Sequence, residues 1–332
     1  MRYRKSLVVR AAAFVALLVA GSSVQASASG GASTAAPPPR LHVIYLSVGV
    51  QNTYAAAVAE AAKAEATKDN IDLTVLDGQF SAQIQSQQMT TAVSQKPDGI
   101  IVFPADSNAI IPATAVAAAA GIPVTFETQD IGAAGAQYRL AYTGPDNYTQ
   151  GIHQFDLMVQ GMKAMGVFKG KRKIALIQSF AGSAANVDRV RGFKDQMAKT
   201  GTKLNIVTAA FGESDVTKSR AVAAQILTRY GSELSGIYAQ DDNVAVGVAQ
   251  AVQAVGKSKK ITIVGNGFNK GAATAIKNGT MYGTLNQSPK QDGTLAVATM
   301  NSILRKLPYK KSIIMPQPFI TKANVAQFVA EW

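Results

Sequence analysis

Short apolar runs of strand length recur along this chain, and each is followed by a stretch with helical spacing. The first four runs are LHVIYLSV (41–48), IDLTVL (71–76), GIIVF (99–103) and IPVTF (122–126). After the first, Tyr54, Ala57, Val58, Ala61 and Ala62 mark one face of a helix. Helices are expected over 81–95, capped by Ser81, and over 108–120, closed by Gly121. Fully apolar strands separated by helices demand a parallel sheet covered on both faces.

The segment YRLAYTG (138–144) leads out, and a second series begins. It has helices over 147–165, 184–199, 217–230, 242–255 and 270–277, and strands over 173–179, 204–210, 236–240, 261–265 and 282–286. A helix over 289–305 and an extended, Pro-broken stretch over 313–321 end the pattern. The expected fold is α/β, with two doubly wound parallel-sheet domains. The 332-residue length agrees, since a single core rarely serves more than about 250–300 residues. Ligands of such sheets bind outside the carboxyl ends of the strands, so the residues just after each strand become the site candidates.

The first residues carry Arg2, Arg4, Lys5 and Arg10, then the apolar run 11–20, then small residues with A-x-A-like sites at 24–28. This reads as a cleaved signal over 1–28 followed by a flexible leader over 29–40, hence a periplasmic or secreted protein. The run is shorter than the roughly 20 residues that span a bilayer. Losing those four cations lowers the formal charge from +13 to +9. The remaining basic groups, such as Lys169–Lys173 and Lys257–Lys260, are scattered and read as solvated rims, so no nucleic acid partner is expected. With no cysteine, the chain has no lipidation site, disulfide, thiolate nucleophile or Cys-ligated zinc.

The polar candidates follow strands. Asn52 and Tyr54 place an amide and an aromatic after the first, a pairing that suits a sugar ring. Glu127, Thr128, Gln129 and Asp130 follow the fourth, where they form either a cleft edge or a solvated turn. Of Asp241 and Asp242, one is expected to cap the next helix and the other to accept ligand hydroxyls, in preference to metal binding or catalysis. Gly265, Gly267 and Gly271 are spaced GxGxxxG rather than GxGxxG. The acid expected about 20 residues on is missing, so no nicotinamide cofactor is expected. His42 and His153 have no triad partners, and the chain lacks a G-x-S-x-G elbow, HExxH motif or P-loop.

Several stretches, in this order and spacing, resemble the ribose- and galactose-type periplasmic solute-binding proteins of ABC importers, relatives of the lactose-repressor core. They are Asn52–Tyr54, LTVLDGQ (73–79), PDGIIVFPADSNAI (97–110), GIPVTF (121–126), GPDNYTQG (144–151), DRVRGF (188–193), IYAQDDNVAVGVAQAVQAVG (237–256) and TLNQSP (284–289). The resemblance covers about 41–322 and implies the type I periplasmic binding protein fold, with domains joined by a multi-strand hinge. It implies a first lobe of 41–144 plus 288–312 and a second of 145–287 plus 313–332, with the last crossing near Met315–Pro318. It further implies a monomer that passes a sugar-like ligand to a membrane permease without turnover and without a cofactor. The ligand contacts it implies are Asn52 and Tyr54, with Asn147 at the first crossing, Asp241, and Gln287 at the second; Gln129 and Asn266 join them as polar groups near the cleft. A sensing role toward chemotaxis or a sensor kinase, and an enzyme on the same fold, are the rivals; a regulator's core would need a DNA-binding segment before residue 41.

Departures from the family pattern bear on the ligand. Thr128-Gln129 replaces a charged pair, Val187 replaces an arginine and leaves Arg189 one turn out of place, Gly267 replaces an aspartate, and Ala55 replaces a second aromatic. The resemblance therefore implies either compensation by Glu127, Gln129, Asp130 and Asn266 or a less hydroxylated ligand.

Overall fold

A computed structural model describes residues 39–170 and 172–332. The expected signal and nearly all of the leader lie outside the described residues. Strands β1 (Leu41–Ser47), β2 (Ile71–Asp77), β3 (Gly99–Val102), β4 (Val124–Glu127) and β5 (Ala141–Gly144) alternate with helices α1 (Thr53–Lys68), α2 (Ala82–Gln95), α3 (Ile111–Ala119) and α4 (Gly132–Gly135). The chain then builds α5 (Asn147–Ala164), β6 (Lys173–Gln178), α6 (Ala184–Lys199), β7 (Asn205–Phe211), α7 (Val216–Tyr230) and β8 (Leu234–Ala239). It continues with α8 (Asp242–Ala254), β9 (Thr262–Val264), α9 (Lys270–Asn278) and β10 (Gly283–Leu285), and ends with α10 (Pro289–Leu304), β11 (Ser312–Ile314) and β12 (Phe319–Thr321).

Two six-stranded sheets result, with orders β11-β5-β4-β3-β1-β2 and β12-β10-β9-β8-β6-β7. Both follow one winding, so each has its topological switch point beside its first strand. Pairing is parallel except between β12 and β10. The first sheet is sandwiched between apolar clusters around Tyr45, Val58 and Met300 on one face and Leu46, Met89 and Phe126 on the other. The second is enclosed in the same way by clusters around Val248 and Ile276 and around Phe155, Phe193 and Tyr238.

The chain passes between the domains three times: after β5, after β10 and between β11 and β12. The expected lobe boundary after residue 312 falls inside a strand, because Ile313 and Ile314 still pair with Thr143 and Gly144 of the first sheet. The helix expected from Asn108 starts at Ile111, because the Asp106 carboxylate first takes the amides of Asn108 and Ala109 in a turn. The strand expected from Tyr138 starts at Ala141, after two short helical turns over 132–138. Among the described residues, no helix is long and apolar enough to cross a membrane.

One packing detail positions the site. Helices α5 and α6 touch backbone to backbone: a Cβ on Gly151 would lie 2.0 Å from the carbonyl oxygen of Arg189, and one on Gly192 would lie 2.1 Å from that of Tyr148. That closeness is what lets the Arg189 side chain reach the α5 glutamine Gln150 (Nε to Oε1, 2.7 Å). Gly192→Ala should force the helices apart and destabilise the fold by about 1–3 kcal/mol, read from urea denaturation.

Candidate functional site

A cavity of about 380 Å³ lies between the domains, at the small end of the roughly 300–1,000 Å³ typical of ligand sites. Its walls come from the segments after β1 (Val48, Asn52), β2 (Phe80), β3 (Phe103) and β4 (Thr128, Gln129). The facing walls come from the segments after β6 (Ser179–Ser183), β7 (Glu213, Ser214), β8 (Asp241) and β9 (Asn266, Gly267). The carboxyl ends of both parallel sheets thus face one space.

The domains touch around its rim. Phe80 stacks on Phe180 with ring centroids 4.6 Å apart and planes 27° from parallel. Asn52 Nδ2 donates to Ser214 Oγ at 3.2 Å, and the Ala185 amide donates to Gln129 Oε1 at 3.1 Å.

Six of the seven residues singled out from the sequence line the cavity: Asn52, Tyr54, Gln129, Asp241, Asn266 and Gln287. Asn147 is not among its lining residues; its Nδ2 instead donates to the Thr128 carbonyl at 3.0 Å and braces the first crossing. Asn52 caps α1, with Oδ1 accepting from the amides of Tyr54 and Ala55. Gln129 is held at both ends, since its Nε2 also donates to the Pro104 carbonyl at 3.3 Å. Asn266 Oδ1 has no protein partner among the described residues.

The two aspartates divide their work differently from expectation. Asp241 is both the cap and the one that reaches the cavity: its Oδ1 accepts from the Val244 amide, and the residue lines the cavity wall. Asp242 is fully buried and saturated. It accepts from the amides of Phe268 and Asn269 and from Thr284 Oγ1, and burial pushes its pKa up to about 7.

Arg189, expected one turn out of place, is nonetheless brought to the cavity. Val187 is 55% exposed, but Arg189 is buried and lines the cavity. Among the described residues its guanidinium has no ion-pair partner. Its bonds go to Gln150 and, at 3.5 Å, to Gln287 Oε1. Burial lowers its pKa, partly offset by through-space attraction to groups that include Asp241. A buried cation held only by amides is costly, which makes Arg189 a candidate ligand contact. Glu127 and Asp130, in contrast, do not line the cavity. Asp130 is spent on a bidentate pair with Arg139 (2.5 and 2.6 Å).

Glu127 lies behind the wall with Asp292. Tyr45 donates to Glu127 Oε1 at 2.6 Å, and Tyr54 donates to Asp292 Oδ2 at 2.8 Å. Thr128 Oγ1 lies 2.5 Å from a carboxyl oxygen of each. One hydroxyl has one proton, so it donates to one carboxylate and accepts from the other, protonated acid. Burial and mutual repulsion raise the pKa of Glu127, and burial takes Asp292 to about 6. Thr128 holds this position at φ 55°, a strained angle for a β-branched residue.

The missed residues Phe80, Phe180 and Ser214 also follow strands, so the same strand-end rule would have found them. Trp332, also in the cavity wall, carried no such signal.

Residues 43–308 match the profile of a family described as periplasmic binding protein domain. The chain is 27% identical over 274 residues to the ribose import binding protein of Bacillus subtilis, covering 82% of this chain and 85% of that protein. It is 25% identical over 267 residues to the xylitol-binding protein of Mycolicibacterium smegmatis, covering 78% and 71%. Among solved structures, the Caulobacter myo-inositol binding protein with myo-inositol bound superposes with a TM-score of 0.79 at 25% identity, covering 86% of this chain and 96% of that one. An Agrobacterium vitis solute-binding protein with D-fucose bound gives 0.78 at 26% identity, with the same coverages.

The raised pKa of Asp292 sets part of a pH dependence. The folded state binds a proton that an unfolded aspartate releases near pH ~4, so stability falls as pH rises from about 4 through about 6. Asp292→Asn should lessen the fall of the melting temperature over that window in scanning calorimetry without abolishing it, since Asp242 and Glu127 are also raised and lose stability in the same direction.

Proposed function

The chain belongs to the periplasmic binding protein domain family, and from that premise we propose that it captures a sugar or sugar-like polyol between its domains and delivers it to the permease of an ABC importer. The observation that carries this reading is the cavity between the domains, walled by the carboxyl ends of both sheets and holding a buried guanidinium without an ion-pair partner among the described residues. Similarity to ribose- and xylitol-binding proteins supports the ligand class.

The two walls divide the recognition. Every charged residue lining the cavity, Arg189, Glu213 and Asp241, belongs to the second domain. The first domain brings Val48, Phe80 and Phe103 with the amides of Asn52 and Gln129. In our reading the second domain grips hydroxyls: Arg189 donates, while Asp241 and Asn266 accept. The first domain then closes over the C–H face of the ligand. A ligand touching both walls binds the closed form better and shifts the population toward it. Nothing in this grip calls for turnover, and the ligand is to be recovered unchanged. Export, by cleavage of the N-terminal signal, and action as a monomer belong to the same proposal.

The test is isothermal calorimetry and thermal melting with D-ribose, D-allose, xylitol, myo-inositol and D-fucose. At least one should raise the melting temperature, since a ligand at 100 times its Kd adds about 2.7 kcal/mol. Arg189→Ala should weaken that ligand about 10- to 100-fold, the range of one or two charge-assisted hydrogen bonds. Silence across the whole panel would sink the sugar assignment.

A further inference from the structure

Trp332 is the only tryptophan of the chain, and the grip described above leaves it without a role. It ends a strap rooted in the second domain, where Val325 is buried and Phe328 packs edge-on against Phe268 at 6.3 Å. The Trp332 carbonyl accepts from the Lys270 amide at 2.8 Å, which ties the strap to the start of α9. One residue earlier, the Glu331 carboxylate accepts from Ser288 Oγ (2.7 Å) and the Lys290 amide (3.0 Å) at the start of α10, a helix packed on the first domain. The strap therefore holds both domains.

Its indole lies between them. On the first-domain side it meets Tyr54 edge to face, with centroids 5.3 Å apart and planes at 74°. On the second-domain side it covers Gly267, where an added Cβ would lie 2.8 Å from Trp332 Cζ2. Gly267 has φ +132°, a conformation L side chains rarely adopt. A side chain at 267 and the indole at 332 thus exclude each other, and this sequence has the indole. Both residues line the cavity. The indole Nε1 is buried without a partner among the described residues, so the ring meets the cavity as apolar surface.

We propose that Trp332 is a specificity-determining residue of the ligand cavity, its indole replacing a side chain at 267 with a flat apolar wall that selects a guest whose facing side is C–H rather than hydroxyl. The proposal rests on the binding function proposed above. The physical cause is a difference in desolvation. A C–H face gains contact with the ring, whereas a hydroxyl pressed against it loses water without gaining a partner, a penalty of about tenfold or more in affinity.

The lone tryptophan makes the test direct. In the full chain, whichever panel compound calorimetry shows to bind should shift or quench the tryptophan emission, saturating at the calorimetric Kd. Trp332→Ala should weaken that compound about tenfold and narrow the gap to the next best compound, and Trp332→Phe should recover most of the loss. Without any ligand, Gly267→Leu should evict the indole and red-shift its emission. Calorimetric binding with unmoved emission, unchanged affinity in Trp332→Ala, or unmoved emission in Gly267→Leu would each overturn the proposal and leave the transport reading standing. Absence of calorimetric binding across the panel counts against that reading instead, while the Gly267→Leu emission still decides whether the indole occupies this wall.

Discussion

The side-chain amide of Gln287, at the second crossing, is bonded on both sides. Its Oε1 accepts from Gln150 Nε2 at 2.9 Å, from Asn266 Nδ2 at 3.2 Å and more weakly from Arg189. Its Nε2 donates to the Tyr54 hydroxyl at 2.7 Å, and Tyr54 donates onward to Asp292. A buried relay therefore runs from a second-domain guanidinium, through one hinge amide, to a first-domain acid pair. An amide suits this point because it is both donor and acceptor and carries no charge to desolvate. Partly broken, such a relay would leave buried polar groups unpaired, which ties the closed arrangement to its full set of bonds.

The rest of the site is arranged around that relay. Tyr54 is held by its hydroxyl, and its ring meets Trp332 in a T-shaped contact. Arg189 is held by Gln150 and Gln287 in the cavity wall, which leaves its remaining donors for a guest. The acid pair behind Thr128 does not line the cavity, yet it fixes the strained residue next to the cross-domain clasp Gln129. Cation and aromatic walls are therefore positioned by hydrogen bonds within the protein.

Much of this architecture was legible in the chain. The apolar runs of four to eight residues, each with a capped helix behind it, dictate strand, crossover and parallel sheet, because no other arrangement buries both faces. The strand-end rule brought Asn52, Asp241 and Asn266 to the cavity for the same reason. Two placements differ from expectation for reasons local spacing does not carry. Asn147 lies beside the hinge, but its amide is drawn to the Thr128 carbonyl, which it shares as acceptor with the Tyr142 hydroxyl. Arg189 looked one turn out of place, but the glycine contacts between α5 and α6 set the depth of its helix and bring its long side chain into the cavity.

By itself, the sequence determined the layer structure, the doubling of the domain and the strand ends that form the site, since these follow from periodicity and burial along contiguous residues. Only the tertiary structure decided which polar groups are spent on the protein and which remain for a guest. It paired Asp130 with Arg139, locked Glu127 with Asp292 across 165 positions, and brought Trp332 against Gly267 and Tyr54. Hydrogen-bond capacity and space are exhausted by whatever packs nearby, and residues far apart in the chain become neighbours only when the hinge brings the two sheets face to face.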